Sequence, residues 1–347
     1  MKSNSNQHVQ RHSRLVLAFV LVSLVTSQGL ARSAPPPSAA SPKNSSPAAA
    51  GAWTQADPSL QRARAAESIV EVQDLPRRLN AEPTTIVLDV RTPEAYAAGH
   101  LPGAIRVDYA DWSKLSLSEA DGLANEAAWH ERIASLGITG THRVVVYDDG
   151  RMTQAARVWF ILQHFGVPHA AVVSGGFPLI QDAARAGELV LSTEPSEPTK
   201  APSPAGTHAT KSVDAGGAIG VLDRFAVREA IEAGTAQIFD ARTPEEHAGT
   251  DLRKNARGGH LPGAISLPHA KLLDERNRLR PADELAKMLE EAGFKKGRPI
   301  ITHCDGGGRA ALAALAAARA GYGPVVNYYL SFSDWAKDAT CPVVKDE

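Results

Sequence analysis

Cysteine is scarce in this chain: 347 residues carry only Cys304 and Cys341. Two cysteines form one bridge at most, which excludes a scaffold built on disulfides. The twelve histidines show no Cys/His spacing of the zinc kind. A net excess of charge is also missing, since 37 Lys and Arg against 38 Asp and Glu leave −1. No global field therefore favours nucleic acid or an anionic membrane, and any pull on an anionic substrate must be local. Long apolar runs are lacking too: residues 15–25 (LVLAFVLVSLV) fall short of the roughly 20 needed to cross a bilayer. What remains is an ordinary globular composition, 43% hydrophobic and 22% charged, with enough chain for two domains that each bury a core.

The apolar run follows a basic lead-in of Lys2, Arg11 and Arg14, and Gly29-Leu30-Ala31 supplies small residues after it. Residues 1–31 thus read as a signal peptide, and the protein as exported to the periplasm or secreted. Residues 32–59 are Pro, Ala and Ser with few large apolar side chains, the composition of a disordered tether. A second stretch of that kind divides the remainder. The expected organisation is a first domain over 60–190, a linker over 191–216 and a second domain over 217–347.

The chain repeats itself once. Residues 88–105 read LDVRTPEAYAAGHLPGAI and residues 239–265 read FDARTPEEHAGTDLRKNARGGHLPGAI, the second copy carrying an insertion of about nine residues rich in Arg and Lys. RVVVYDDG (143–150) aligns without a gap on RPIITHCD (298–305), which places Asp149 opposite Cys304. Each copy shows apolar β-branched runs (85–88, 144–147 and 171–173; 236–239, 300–303 and 325–328) alternating with helical patterns. That alternation predicts an α/β fold of two tandem domains, each a mainly parallel sheet flanked by helices. Ligands of such sheets lie beyond the carboxyl ends of the strands, where one copy has Cys304 and the other Asp149.

IITHCDGGGRA (300–310) sets Cys304 between a buried strand and a helix. Gly306, Gly307 and Gly308 let the backbone curl with its amides inward, and this nest joins a helix N-terminus to form an anion site. Arg309 and the helix N-terminus are expected to keep the sulfur a thiolate at neutral pH. A buried structural cysteine leaves the triple glycine and the arginine unexplained. Bridging to Cys341 would disable the nucleophile.

The D-x-R-T-P-E…G-H-L-P-G-A segments, the C-D-G-G-G-R loop and NYYLSFSDW (327–335) resemble the rhodanese family over about residues 60–345. The resemblance implies a tandem-domain sulfurtransferase of the thiosulfate or 3-mercaptopyruvate type, with a catalytic second domain and a silent first one. By that resemblance Cys304 carries the sulfur, Asp305, Gly306, Gly307, Gly308 and Arg309 complete its loop, and Asp240, Arg242 and His260 support the site. Arg242 and, from the insertion, Arg253 are also candidates for substrate contact. Lys254 and Arg257 are expected to reach over the site with Arg253. The implied partners are a small sulfur donor and a thiol or cyanide acceptor. No metal, organic cofactor or nucleic acid is implied, nor a membrane span once the signal is removed, and the oligomeric state stays open. Asp305 departs from the basic loop residues common in thiosulfate users. Two alternatives stand beside this reading. His303-Cys304…Arg309 resembles the tyrosine-phosphatase signature with a loop one residue shorter, and a non-catalytic binding protein is the other.

Overall fold

The computed structural model describes residues 57–81, 85–118, 122–196, 198 and 219–345. The signal-peptide segment, almost all of the tether and most of the linker lie outside these residues. In the first copy the elements run α1 (Pro58–Glu67), β1 (Ile69–Val70), α2 (Leu75–Ala81), β2 (Thr85–Asp89), α3 (Pro93–Ala97), β3 (Ile105–Arg106), α4 (Tyr109–Ser116), α5 (Glu126–Ser135), β4 (Arg143–Tyr147), α6 (Thr153–His164), β5 (Ala170–Val173) and α7 (Gly176–Arg185). The second copy follows with β6 (Gly220–Leu222), α8 (Arg224–Glu232), β7 (Gln237–Asp240), α9 (Pro244–Ala248), β8 (Ala264–Ser266), α10 (Ala282–Glu291), β9 (Ile300–His303), α11 (Gly308–Arg319), β10 (Val325–Tyr328) and α12 (Ser331–Trp335).

Each copy forms a five-stranded parallel sheet, in the orders β1-β5-β4-β2-β3 and β6-β10-β9-β7-β8. The α/β expectation holds. Patterning caught the three central strands of each sheet because they are continuous apolar runs, the mark of strands buried on both faces. It missed β1, β3, β6 and β8, which are two or three residues long and too short to show a period. Thr92 and Thr243 cap α3 and α9, each followed by the expected proline at the first turn.

Two boundaries move. α1 begins at Pro58, with Asp57 as its cap, inside the stretch read as tether. Its Gln61 Nε2 donates to Val325 O at 3.0 Å and its Oε1 accepts from Val325 N at 2.8 Å, so this helix is pinned to the second sheet. At the other end, Ser192 bridges to His100 and Ser196 N donates to the Tyr96 hydroxyl, which attaches the start of the expected linker to the first copy. Val344 bridges to His260 in the same manner in the second copy.

The copies share one core. α6 packs on α11, and Trp159 and Leu162 belong to the same buried cluster as the Ala-rich face of α11. α11 is buried on all sides from Ala310 to Ala318, which explains its composition: alanine lets neighbouring helices approach closely, and an all-apolar helix belongs inside.

Candidate active site

The strand registers align the two copies at their carboxyl ends. Asp89 of β2 pairs with Tyr147 of β4, and Asp240 of β7 pairs with His303 of β9. Tyr147 therefore matches His303, and the next residue, Asp148, matches Cys304. Phe177 N donates to Asp148 O at 2.9 Å and Phe332 N donates to Cys304 O at 2.9 Å, which confirms the equivalence. This corrects the gapless alignment, which had put Asp149 opposite the cysteine. Its helix half holds, because Met152 and Gly307 are the left-handed caps of α6 and α11. The first copy carries one extra residue in the loop between strand and helix.

Cys304 is 1% exposed. Its Sγ accepts from Gly307 N at 2.9 Å, a backbone amide delivered by the tight turn (Gly307 φ 96°) that opens α11. The Cys304 amide donates to Ser331 Oγ at 3.1 Å, and that hydroxyl, 3.9 Å from Sγ, donates to Tyr328 O. Ser331 has a φ of 61°, a conformation uncommon for a residue with a side chain and sustained by its surroundings. The sequence hinted at it only as part of the 327–335 segment. Cys341 is a free thiol in a separate core cluster with Trp335 and Leu261. Burial pushes its thiol up, as does neighbouring Asp338.

Arg309 does not stand free. Its guanidinium makes a two-point pair with Glu246, Nη2 to Oε1 at 2.8 Å, and Glu246 is 1% exposed. Burial opposes the charge on both partners. The pair overrides it, holding Glu246 below the usual carboxylate range and raising Arg309. Glu246 also closes the Thr243 capping box of α9, so a local motif fixes the carboxylate that holds Arg309. Sequence reading missed Glu246, and also His269, whose burial, with Arg309 nearby, pushes its ring down and leaves it neutral at neutral pH.

Asp240, Arg242 and His260 lie beneath the loop. Arg242 is 2% exposed, paired with Asp240 (Nη2 to Oδ2 2.6 Å), bonded to Gly259 O and stacked over Phe332. These contacts of Nε and Nη2 are internal, so they brace the strand end and are not spent on a substrate. The His260 ring stacks on His247 at 3.8 Å, as His100 stacks on Tyr96 at 3.8 Å in the first copy. His247 Nδ1 lies 2.8 Å from Asp240. Burial opposes ionisation of Asp240, but the His303 ring, the His247 contact and Arg242 hold its carboxyl well below the ordinary range. Burial pushes His303 itself down to about 4. At neutral pH Arg242 and His247, rather than a charged His303, keep Asp240 ionised.

The insertion divides into two roles. Asn255 Nδ2 donates to Asp305 Oδ1 at 2.7 Å, and Arg253, an exposed side chain, has its Nε 3.8 Å from Glu246. Arg257 instead spends its donors on the carbonyls of Trp335, Ala336, Asp338 and Cys341. It ties down the C-terminal turn, which corrects the expectation that it reaches over the site. Lys254 makes no contact that places it at the loop. Among the described residues no group of His, Cys, Asp and Glu could hold a metal ion, and no helix is long and apolar enough to cross a membrane.

Comparison with known proteins agrees with this geometry. The chain is similar to the thiosulfate sulfurtransferase of Pseudomonas aeruginosa, 32% identical over 79% of this chain and 96% of the relative. It is 29% identical to thiosulfate/3-mercaptopyruvate sulfurtransferase 1 of Arabidopsis thaliana, over 85% of this chain and 83% of the relative. It is also 29% identical to the 3-mercaptopyruvate sulfurtransferase of Escherichia coli K12, over 74% and 86%. The crystal structure of YnjE matches the fold with a TM-score of 0.69 at 21% identity, covering 81% of this chain and 69% of that one. The rhodanese-like domain model matches twice, at residues 71–183 and 226–338, so the chain belongs to the rhodanese family in a two-domain form.

Proposed function

We propose that the protein is a sulfurtransferase that carries sulfane sulfur on Cys304, the donor being thiosulfate or 3-mercaptopyruvate. The observation that carries this reading is the Cys304 sulfur at the end of β9, accepting a hydrogen bond from an amide of a glycine loop that opens a buried helix. Such a cradle stabilises a thiolate and, one atom further out, a persulfide. The thiolate attacks the outer sulfur of thiosulfate; the S–S bond breaks and sulfite leaves with the electron pair. With 3-mercaptopyruvate the C–S bond breaks, and the carbon takes a proton to leave as pyruvate. Cyanide or a thiolate then attacks the terminal sulfur and releases the Cys304 thiolate, so the enzyme alternates between two covalent states.

The charges at the loop bear on the donor. Arg309 is matched by Glu246, and Asp305 sets a negative charge beside the sulfur. This balance favours a monoanionic donor over a dianionic one, with Arg253 the exposed cation placed to meet a carboxylate. In a side-by-side assay 3-mercaptopyruvate is expected to show the lower KM. Intact-mass measurement should find one added sulfur atom after either donor, absent in Cys304→Ser and present in Cys341→Ser. A persulfide on the Cys304→Ser protein would overturn the assignment. Export is proposed on the basic lead-in and apolar run of the first 25 residues; N-terminal sequencing of the mature protein tests it.

A further inference from the structure

The glycine triplet after Cys304 has a reason beyond its own turn. A Cβ on Gly307 would lie 3.1 Å from Arg157 Nη2 and 2.7 Å from Tyr329 O. One on Gly308 would lie 3.0 Å from Thr153 O, 3.4 Å from the Tyr109 hydroxyl and 3.7 Å from Arg157 Nε, and one on Gly306 3.9 Å from Arg157 Nη2. Arg157, Thr153 and Tyr109 all belong to the first copy. The loop is bare of side chains where the other domain lies against it.

Arg157 is the charged member of that contact. It sits on α6, 3% exposed, with Nη1 donating to Ser113 Oγ and its guanidinium 5.8 and 5.7 Å from the ring centroids of Tyr109 and Tyr329. Its Nε has no hydrogen-bond partner, and it forms no ion pair with a carboxylate among the described residues. A buried cation without an anionic partner is costly unless its charge is used. The complementary need lies across the interface. The cation of the Cys304 loop itself, Arg309, is committed to Glu246, and Asp305 adds a negative charge. The remaining ionisable groups around the sulfur leave that need unmet. His303 is held neutral by burial, and burial likewise raises the tyrosines Tyr329 and Tyr109. Asp148 of the first copy lies within electrostatic reach of Tyr109.

We infer that Arg157, supplied by the copy that lacks the nucleophile, is a positioning residue of the sulfur-transfer site. It presses the glycine loop into shape so that the Gly307 N–H meets the sulfur, and it supplies the uncommitted positive charge that the anionic sulfur requires. The inference rests on the sulfur-carrying role of Cys304, but its test does not. In a full-length Cys341→Ser background, iodoacetamide reports on Cys304 alone and needs no sulfur donor. Arg157→Met is expected to slow capture at pH 7 by about tenfold and to move the capture profile upward by about one pH unit. Arg157→Lys should restore most of both, and sulfur transfer should follow the same order. An unchanged profile in Arg157→Met, or an identical loss in the Lys and Met variants, overturns the inference. If Arg157→Met does not fold, Ser113→Ala removes the hydrogen bond that orients Nη1. It is expected to slow capture about threefold, and no change there also overturns the inference. Capture that responds to Arg157 in a protein that never gains sulfur would keep the effect of Arg157 on the Cys304 sulfur and reject the proposed function on which its sulfur-transfer role rests.

Discussion

In the two copies the same strand-to-helix loop closes around different side chains. Asp148 Oδ1 accepts from Gly150 N (2.9 Å) and Met152 N (3.0 Å), and its Oδ2 accepts from Gln154 N and Ala155 N (both 3.1 Å). The nest of the first copy is therefore filled by the protein's own carboxylate. In the second copy the corresponding sulfur accepts from the Gly307 amide instead. Around that difference the frame is the same: the D-x-R pair, the stacked ring on the turn histidine and the left-handed cap recur in both. What the second copy adds is the pair Glu246 and Arg309, where the first has Ala95 and Gln154. An anion site becomes structural when its ligand is covalently built in, and catalytic when the ligand can gain and lose an atom.

The largest expected effect is a failed transplant. Asp148→Cys in a Cys304→Ser protein should stay about 10³-fold or more below the wild type. Its loop is one residue longer, keeps Arg151 and Met152 in place of glycines, and lacks the Glu–Arg pair. Substantial sulfur transfer by the double variant would break the comparison. The converse concerns stability. Asp148→Ala strands four N–H donors, three of them buried, and should lower unfolding stability by about 3 kcal/mol. Sulfur transfer per folded molecule should be unchanged; denaturant unfolding with activity measured on the folded fraction checks this.

A third test uses acid. The His303 ring is fully buried with its pKa held at about 4 against an ordinary 6.5. The folded value is depressed, so its contribution is full above 6.5 and is lost as pH falls through that window. The loss should reach about 3 kcal/mol by pH 4. Asp240, held still lower, responds only below that window. The matching residue of the first copy, Tyr147, is pushed upward and does not titrate there. Urea midpoints between pH 7.5 and 4.5 should fall in the wild type and fall less steeply in His303→Gln; an equal slope in both would reject the assignment. The smallest effects separate one exposed arginine of each copy. Arg253→Ala should raise KM for 3-mercaptopyruvate about threefold, as loss of a rim charge does. Arg151→Ala, whose partner is Asp149, should alter neither KM nor stability by more than about 0.5 kcal/mol.

Much was determined by sequence alone, because it depends on neighbours along the chain. The duplication, the central strands, the capped turns after Asp89 and Asp240, and the glycine loop after Cys304 are local patterns, readable from period and spacing. The tertiary structure decided what depends on distance through space. Register between strands, not alignment of residues, matched Cys304 to Asp148, because the extra loop residue slips strand against helix and leaves no mark in a gapless alignment. Glu246 reached Arg309 only once two strand ends stood side by side, and Arg242 was drawn into the fold because Asp240 and Gly259 O took its Nε and Nη2. The glycines had a local reason in the turn and a second one across the interface, where Arg157 of the other copy lies against the loop. A chain read in one dimension contains both partners of such a contact but not their meeting, which packing of the two copies into one core brings about.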